Sequence, residues 1–447
     1  MITRKGFSLV VNNAFAGLGF SREAPTLIEF PHDMFLPDSD LSPLKDNIDK
    51  IIDGLTRWQP VTKEKKREVP EKIIVEGSDY EEAMVRMNEL FLENLWSEGL
   101  PLFPPTEERV KWILSGAART PDTVIGKILP RGRIATVETL AINLAMTGGR
   151  PEYLPVLIAA IEAMIDPVVV HQVFNATTCS VYPAVVVNGP VARQIRLNSG
   201  YGCLGPSPLY PAGGVIGRAV RLILLNVGGA IPGIGSMAIY GGPARYTNIV
   251  FAEDEEGIPQ DWEPLNVSTF GYPRGANTVT VYPVAGTSNI VESSVNTAET
   301  ALSTLHNFAK MMGVPNWNYW SRRERFEAPP GILLMARGTA QGLSRYGWPR
   351  EKVQAFLWEN SKVPWPAVKS TSPPHLLEDR CKAAGTLRMN EPWPITSKPE
   401  NIMIVVAGGE QSGHGYWMQI GTSFKPSCKE IRLPPNWDDL VKERNPG

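Results

Sequence analysis

Ile402-Met403-Ile404-Val405-Val406-Ala407 is an uninterrupted apolar run, and Gly408-Gly409-Glu410-Gln411-Ser412-Gly413-His414-Gly415 follows it directly. An apolar run of this length, stopped by glycines, predicts a buried strand over 402–407. Loops at the carboxyl ends of strands are where open α/β sheets bind ligands. The glycines are not spaced as in a phosphate-binding loop or a dinucleotide fingerprint. We therefore predict that the loop presents His414 in a cleft as a general acid or base, with a purely structural glycine-rich hairpin as the alternative.

Helices and strands alternate through the rest of the main body. Apolar patterning predicts further strands at 73–75, 167–173, 183–188 and 278–284. The same patterning predicts helices at 79–97, 136–147, 154–164, 215–226, 293–312 and 350–360, and a short helix from Thr106. This alternation predicts an α/β or α+β fold, in which helices cover a layered mixed sheet.

Residues 1–56 are predicted to form a small, partial α/β segment. A short strand fits 26–30, and apolar residues recur at helical spacing over 39–56. A polar linker at 57–71 joins this segment to the main ligand-binding body at 72–447. One strand and one helix cannot bury their apolar faces alone. We therefore expect the segment to dock on the main body or on another chain, and we expect the protein to be an oligomer.

Composition and charge restrict the functional classes. Of the 447 residues, 43% are hydrophobic, which excludes a disordered chain. There are 44 Lys and Arg residues against 46 Asp and Glu residues, so the chain lacks the positive charge that nucleic acid or an anionic membrane would attract. The run of acidic residues at 253–256 is predicted to be a solvated loop.

Several features indicate a cytoplasmic protein without a membrane partner. The N-terminus has no apolar signal segment, and the four cysteines form no C-x-x-C pair and no metal-binding pattern. The uncharged stretch between Arg221 and Arg245 is predicted to be a buried helix that ends near Asn226, followed by a glycine-rich loop, rather than a membrane span. His171 is predicted to be a satisfied core histidine rather than a metal ligand.

Two further motifs could bind or transform a ligand. Arg131 and Arg133 flank a glycine just before a helix that Thr136 would cap, and such a turn suits a carboxylate or phosphate; ion pairs with surface acids are the alternative. Asn198-Ser199-Gly200-Tyr201-Gly202-Cys203 predicts a tight polar loop. Cys203 could act as a nucleophile or redox thiol if its pKa is lowered, or it could be a buried, inert cysteine.

The combination of several ordered blocks resembles a known protein family. The blocks are Arg131-Gly-Arg-x-x-Thr-Val-Glu138, Arg150-Pro-Glu-Tyr-Leu-Pro-Val156, Val187-Asn-Gly-Pro190, Asn198-Ser-Gly-Tyr-x-Cys-x-Gly-Pro206, Gly217-Arg-Ala219 and Leu222-Ile-Leu-Leu-Asn226. Together they resemble the large domain of a poorly characterised bacterial family associated with proteins that carry a selenocysteine- or cysteine-Gly-Ser-Cys motif. The resemblance spans roughly 70–415, and 7–56 resembles the tail of the small domain that carries the motif.

This resemblance implies a redox partner that the chain itself does not contain. The sequence has no Cys-Gly-Ser-Cys motif, so a separate small subunit would have to supply it. The motif is similar to the selenocysteine-x-x-Cys site of glycine and proline reductase subunits. The resemblance therefore implies the reductive cleavage of a small molecule, by analogy.

The leading hypothesis is a small-molecule enzyme, or the large subunit of one. Its reaction would be either thiol-dependent reductive cleavage or a lyase- or hydratase-type reaction that uses acid–base chemistry. The alternative is a non-catalytic structural or regulatory subunit of a complex whose small subunit carries the redox motif. Neither the cofactor nor the substrate follows from the sequence. The predicted catalytic residues are His414, Cys203 and Tyr201, and the predicted substrate-binding residues are Arg131, Arg133, Asn198, Ser199 and Asn188.

Overall fold

A computed structural model describes most of the chain. The described residues are 2–4, 6–17, 20, 28–31, 38–59, 72–242, 245, 249–316, 319–371, 374–421 and 424–442. The strands are β1 Ile2–Arg4, β2 Ile28–Phe30, β3 Val124–Ile128, β4 Arg133–Thr136, β5 Tyr182–Asn188, β6 Ile249–Ala252, β7 Thr278–Val291, β8 Gly331–Met335, β9 Met403–Val406, β10 His414–Ile420 and β11 Ser427–Glu430.

Helices surround these strands. They are α1 Ser8–Gly17, α2 Ser42–Asp46, α3 Ile48–Thr56, α4 Tyr80–Glu93, α5 Glu107–Leu114, α6 Val137–Met146, α7 Leu154–Met164, α8 His171–Ala176, α9 Pro190–Gln194, α10 Ala212–Asn226, α11 Leu265–Ser268, α12 Ala298–Met312, α13 Arg323–Phe326, α14 Arg337–Arg345, α15 Arg350–Asn360, α16 Trp365–Lys369, α17 Pro374–Ala384 and α18 Trp437–Lys442.

The central sheet is mixed, and the long strand β7 joins its two halves. The strand order is β6-β5-β7-β10-β8-β9, and β11 also pairs with β7. Thr278–Val284 pairs with β5 and Val284–Val291 pairs with β10, both antiparallel. The edge pairs β5–β6 and β8–β9 are parallel. The predicted strand at 278–284 is therefore confirmed, but it continues for another seven residues in which exposed positions alternate with half-buried ones and the buried Ile290.

Helices pack on both faces of the sheet, which explains the continuous apolar strands. Along β8, Ile332 and Leu334 belong to one buried cluster with α6, α7 and α10, whereas Leu333 and Met335 belong to a second cluster with α12, α14 and α15. A strand that is buried on both faces needs apolar side chains at every position. The predicted α/β class, with helices covering a layered mixed sheet, is confirmed.

The two edge strands of this sheet approach each other at their carboxyl ends. The backbone N–H of Asp254, just after β6, donates to the carbonyl of Val406, the last residue of β9, at 2.8 Å. The N–H of Val406 donates in return to a carboxylate oxygen of Glu253 at 3.4 Å. The sheet is therefore curled, and loops that follow distant strands are brought side by side.

Side chains of α15 cover the outer edge of β9. Arg350 donates to the carbonyl of Ile404 at 2.7 Å, and Gln354 donates to the carbonyl of Ile402 at 2.7 Å. Arg350 is buried, and among the carboxylates that attract its charge the buried Glu253 has the largest effect. Burial raises the pKa of Glu253 to about 7, and the charge of Arg350 opposes that shift. The prediction of a solvated acidic loop at 253–256 is therefore wrong for its first two residues, which are buried.

Helix boundaries follow local capping signals. Thr136 and Thr106 cap α6 and α5 as predicted. The predicted helix at 293–312 begins only at Ala298, because Thr297 accepts a hydrogen bond from the N–H of Thr300 in a reciprocal capping box. The predicted helix at 154–164 is confirmed, and α10 ends at Asn226 as predicted. Among the helices of the described residues, none combines the length and the apolar character that crossing a membrane requires.

Two predicted strands are absent from the described structure. Residues 73–75 form no strand. At 167–173 the chain turns, because the N–H of Val169 donates to the carbonyl of Asp166 at 2.9 Å, and Val170 adopts a left-handed φ of 55° before α8 begins. The carboxylate of Asp166 also binds Lys429 on β11 at 2.6 Å, which fixes this turn against the sheet.

The N-terminal segment contains more structure than the sequence predicts. β1 and β2 pair in parallel, and α1 lies between them in the chain. The described part of the predicted strand at 26–30 is β2, and residues 26 and 27 lie outside the described residues. The predicted helix at 39–56 is divided into α2 and α3 at Asn47. The amide of Asn13 on α1 donates to the carbonyl of Ile234 at 2.8 Å, so this segment contacts the loop after α10. Most of the predicted linker at 57–71 lies outside the described residues.

The buried histidine of α8 gives the fold a dependence on pH. His171 is 5% exposed, and its Nε2 accepts a hydrogen bond from the N–H of Leu129 at 3.1 Å. Burial lowers the pKa of His171 to about 4. The neutral ring therefore stabilises the fold fully above about pH 6.5, and we expect the free energy of unfolding to fall by up to about 3 kcal/mol as the pH drops from 6.5 to 4.

Urea unfolding of the wild-type chain and of His171→Gln at several pH values between 7 and 4 tests this expectation. The variant should be less stable at pH 7 and should lose less stability on acidification. His375→Gln, which replaces an exposed histidine on α17, is the matched control and should behave like the wild type. Equal pH dependence in wild type and His171→Gln would show that another group causes the acid sensitivity.

Candidate functional site

A cleft of about 310 Å³ lies where the loop after β9 meets the loop at 198–205. The two loops are hydrogen-bonded, because the N–H of Gly408 donates to the carbonyl of Ser199 at 2.9 Å. The cleft is lined by Tyr201, Cys203, Leu204, Asn289, Leu334, Ala336, Ala407, Gly408, Gln411, His414, Gly415 and Tyr416. It therefore brings together the three residues that the sequence predicts as catalytic, although they come from two distant loops.

His414 has a fixed backbone and a side chain that lines the cleft. It is the first residue of β10, and the buried hydroxyl of Thr339 on α14 lies 3.0 Å from both its backbone N and its carbonyl oxygen. The preceding Gly413 has a φ of 79°, and a Cβ there would lie 2.4 Å from the carbonyl oxygen of Glu292. The half-buried imidazole makes no hydrogen bond to any described residue. The strand start therefore holds the ring in place and leaves both of its nitrogens available to a ligand.

Tyr201 lies at the mouth of the cleft. Its side chain is 68% exposed, and its ring lies directly over Gly409, where a Cβ would be 2.8 Å from ring atoms. A glycine at 409 is thus needed for the aromatic ring to reach this position. The carbonyl of Tyr201 accepts a hydrogen bond from the amide of Asn198 at 3.0 Å, which fixes the turn that carries the ring.

Cys203 does not have the exposure that a reactive thiol needs. It is 5% exposed and belongs to the main buried cluster. Burial raises the pKa of its thiol to about 12, so the thiolate is strongly disfavoured at neutral pH. A working thiol would be partly exposed, so the burial of Cys203 agrees with the alternative of a buried, inert cysteine. In the described structure Cys203 contributes to the wall of the cleft as a neutral side chain.

The polar residues of the 198–205 loop are engaged in backbone contacts. Asn198 is buried, and its Oδ1 accepts from the N–H of Gly200 at 2.9 Å. The carbonyl of Asn198 accepts from the N–H of Ala252 at 2.9 Å. Ser199 contributes its carbonyl to Gly408. Both residues were predicted to bind substrate, but neither lines the cleft, and the contacts described here hold the two loops together.

Three other predicted binding residues lie away from this cleft. Asn188 is fully buried at the end of β5, where its amide donates to carboxylates of Glu253 and Glu255 at 2.7 and 2.9 Å. Arg131 donates to the carbonyl of Asn226 at 3.3 Å. Arg133 is exposed on β4 and lines a different cavity. The sequence predicts these residues in one site with His414, and the structure does not bring them there.

The structure adds three lining residues that sequence analysis missed as site residues. Asn289 and Tyr416 face each other on β7 and β10, and Gln411 is in the loop after β9. The hydroxyl of Tyr416 lies 3.0 Å from the hydroxyl of Thr287. Alternate residues of a strand share a face. A prediction that β10 begins at His414 would therefore have placed Tyr416 on the same face as His414.

The start of helix α14 packs against the loop after β9 and fixes its position. The guanidinium of Arg337 binds the carboxylate of Asp254 through two hydrogen bonds of 2.7 Å each, and its backbone N–H donates to the carbonyl of Gly409 at 2.8 Å. The next residue, Gly338, packs so closely that a Cβ would lie 2.1 Å from the carbonyl oxygen of Glu410. The position of the loop therefore depends on this helix start.

The lining of the cleft determines the chemistry that it can perform. It offers one imidazole, two phenol hydroxyls, two primary amides and a neutral thiol, and none of its lining residues carries a carboxylate, an ammonium or a guanidinium group. Within the described ranges, no three His, Cys, Asp or Glu side chains form a group that could hold a metal ion. The cleft is suited to hydrogen bonding and proton transfer with an uncharged part of a small molecule.

Comparison with known proteins gives no relative: no protein-family profile, no curated protein and no solved structure matches the chain. The family resemblance that the sequence blocks carry stays a prediction.

The close packing of Gly338 can be tested by adding one methyl group. Gly338→Ala is expected to displace the loop at 408–415 and to lower the free energy of unfolding by about 1–3 kcal/mol, as overpacking usually does. Gly214→Ala is the matched control, since it is also a helical glycine but its Cβ would meet only ordinary contacts at 3.5 Å. Chemical denaturation followed by tryptophan fluorescence measures both. A Gly338→Ala variant as stable as the control would contradict the described packing.

The burial of Cys203 predicts the order in which the thiols react. Cys179 is exposed, whereas Cys203 and Cys381 are buried. We expect a maleimide to label Cys179 of the native protein first and Cys203 at least about 100-fold more slowly, because the reagent needs an accessible thiolate. Mass spectrometry of proteolytic peptides after timed labelling measures the rates, and labelling in denaturant shows that each site can react. Labelling of Cys203 as fast as Cys179 would restore the reactive-thiol hypothesis.

Proposed function

We propose that this protein is a small-molecule enzyme, or the large subunit of one, that performs acid–base chemistry of the lyase or hydratase type in the cleft around His414. The observation that carries the proposal is the imidazole of His414, which has no hydrogen-bond partner among the described residues and is held by its backbone in a cleft with two phenol and two amide groups. A positioned imidazole can both accept and donate a proton near neutral pH.

The burial of Cys203 favours acid–base chemistry over reductive cleavage. A thiol-dependent reaction needs a thiolate, and burial raises the pKa of this thiol to about 12. The four cysteines of the chain are all free. This agrees with our proposal that the protein works in the cytoplasm, where thiols remain reduced.

The substrate of the proposed reaction is a compact, polar molecule. The cleft volume of about 310 Å³ is near the lower end of the range of about 300–1,000 Å³ that is usual for small-molecule sites. The amides of Asn289 and Gln411 can bind a carbonyl or hydroxyl group of the substrate. With that group bound, His414 removes a proton from the neighbouring carbon, and a hydroxyl group leaves as water once it has received a proton. The reverse sequence adds water.

The exposed ring of Tyr201 has a separate part in the proposal. It lies at the entrance, over Gly409, and can cover a bound substrate. It takes no part in removing the proton. The hydroxyl of Tyr416 donates to the hydroxyl of Thr287 at 3.0 Å, and it supplies its proton to the leaving hydroxyl group when the substrate replaces Thr287 as the acceptor. The proposed roles are thus His414 as base, Tyr416 as acid, and Tyr201 as the residue that limits water access.

Isotope incorporation tests the proposal even though the substrate is unidentified. The full chain is incubated in D₂O with a defined library of hydroxy, keto and unsaturated metabolites, and mass spectrometry detects gain of deuterium or gain or loss of water. We expect at least one compound to react, and His414→Gln to lower its rate by about 10²–10⁴-fold. His375→Gln, which removes an exposed histidine on α17, should leave the rate unchanged.

The outcomes separate the proposed enzyme from its alternatives. Equal turnover by wild type and His414→Gln would remove His414 from the mechanism. Turnover that appears only with added dithiol, and that disappears in Cys203→Ser, would support the thiol-dependent reaction. Binding of library compounds without any turnover would support the non-catalytic subunit, which would then need a partner chain.

A further inference from the structure

A second cavity in the molecule shares no lining residue with the His414 cleft. Its volume is about 880 Å³, and it lies between α4, the segment at 96–106, α6 and the end of α10. The lining residues include Met84, Met87, Phe91, Trp96, Ile142 and Met146. This volume is typical of a pocket that encloses a small molecule.

The frame around this cavity is anchored to the main body. The amide oxygen of Asn88 on α4 accepts from the N–H of Leu102 at 2.8 Å, and the N–H of Phe103 donates to the carbonyl of Met146 at 3.0 Å. Arg218 on α10 donates to the buried carboxylate of Glu98 at 2.7 Å. The cavity is therefore bounded by fixed elements on all of these sides.

The walls of the cavity suit an apolar ligand. Phe91 and Trp96 lie with their ring centres 6.1 Å apart, and three methionines from α4 and α6 complete the surface. Methionine side chains adapt to ligands of different shape because they have flexible, polarisable thioethers. The wall therefore selects a ligand by its size and apolar surface more than by its exact shape.

Arg133 supplies an available positive charge at this cavity. Its guanidinium is exposed, and no described residue forms an ion pair or hydrogen bond with it. By contrast, Lys72 at the same cavity is paired with Glu107 at 2.7 Å. A guanidinium binds a carboxylate through two parallel hydrogen bonds. An anionic group of the ligand would therefore bind at Arg133.

A pair of amides, Asn143 and Asn226, adds to the polar part of the lining, which also contains Thr106, Glu107 and Glu108. Asn143 donates to the carbonyl of Thr139 at 2.8 Å, so its oxygen is the atom that accepts from Asn226, at 3.0 Å. This sequence of bonds orients both amides. It leaves the Oδ1 of Asn226 as a buried acceptor without a partner among the described residues.

We propose that this cavity binds a small molecule with an apolar body and a single carboxylate, which Arg133 binds. The site is independent of the chemistry proposed at His414. The carboxylate of a flexible acyl chain and that of a rigid aromatic acid would be bound in the same way. The adaptable methionine wall accepts either body.

Fluorescence binding with a matched pair of probes tests the proposal on the full chain. cis-Parinaric acid, a fluorescent fatty carboxylate, is expected to bind the wild type about 10- to 100-fold more tightly than its uncharged methyl ester, because one charge-assisted contact is lost in the ester. Arg133→Gln should remove this preference by weakening the acid alone. Arg345→Gln, which replaces an arginine on α14 that does not line this cavity, is the matched control and should retain it.

A second variant tests the apolar wall separately. Met84→Trp, which fills part of the cavity, should weaken both the acid and the ester, while thermal unfolding verifies that the variant is folded. Competition by decanoate and by naphthaleneacetate then distinguishes an acyl chain from an aromatic body. Equal binding of acid and ester by the wild type, or an unchanged preference in Arg133→Gln, would overturn the proposal. So would unchanged binding of both probes by Met84→Trp.

Discussion

The hydrogen bond between the N–H of Asp254 and the carbonyl of Val406 joins the two ends of the curled sheet, and the site depends on it. Because β6 and β9 are at opposite edges of the strand order, a flat sheet would separate the loops that follow them. Curling brings those loops together, and the loop at 198–205, which contacts both Ala252 at the end of β6 and Gly408 after β9, forms the cleft with the loop after β9. The bidentate contact from Arg337 holds Asp254 in place, and the carboxylate of the preceding Glu253 is buried and accepts hydrogen bonds from the N–H groups of Leu265 and Val406.

Elements with a strong local signal could be predicted from the sequence. The helix after Thr136 has a side-chain cap and an apolar face, and the strand at 402–407 is apolar at every position because helices cover both of its faces. The second half of β7 has no such run, since exposed residues alternate there with mostly half-buried ones. At 167–173, three consecutive valines indicated a strand, but Asp166 holds them in a turn through contacts with β11 that are remote in sequence.

In the candidate site, too, the features that depend on local sequence could be predicted, and those that depend on distant contacts could not. Two glycine-rich loops, one after β9 and one after α9, predict a shared site, and in the structure His414 and Tyr201 line one cleft. The direction of a side chain was not predictable in this way. Asn188 ends a strand, as a binding residue would, yet its amide is used to hold acidic side chains. The state of the Cys203 thiol depends on burial by residues from several elements, and no local pattern encodes that.

The side chains that cover β9 also restrict how this protein can associate with others. An edge strand normally exposes a row of unpaired backbone groups to which a strand of another chain can add. Here Gln354 and Arg350 already bind the outer carbonyls of Ile402 and Ile404, and Asp254 binds the carbonyl of Val406. These acceptors are unavailable to a foreign strand, so a continuous intermolecular sheet cannot grow from this edge. Any second subunit that meets the molecule here must do so through side-chain surfaces of the covering helix, which selects its partner by shape and charge rather than by backbone pairing.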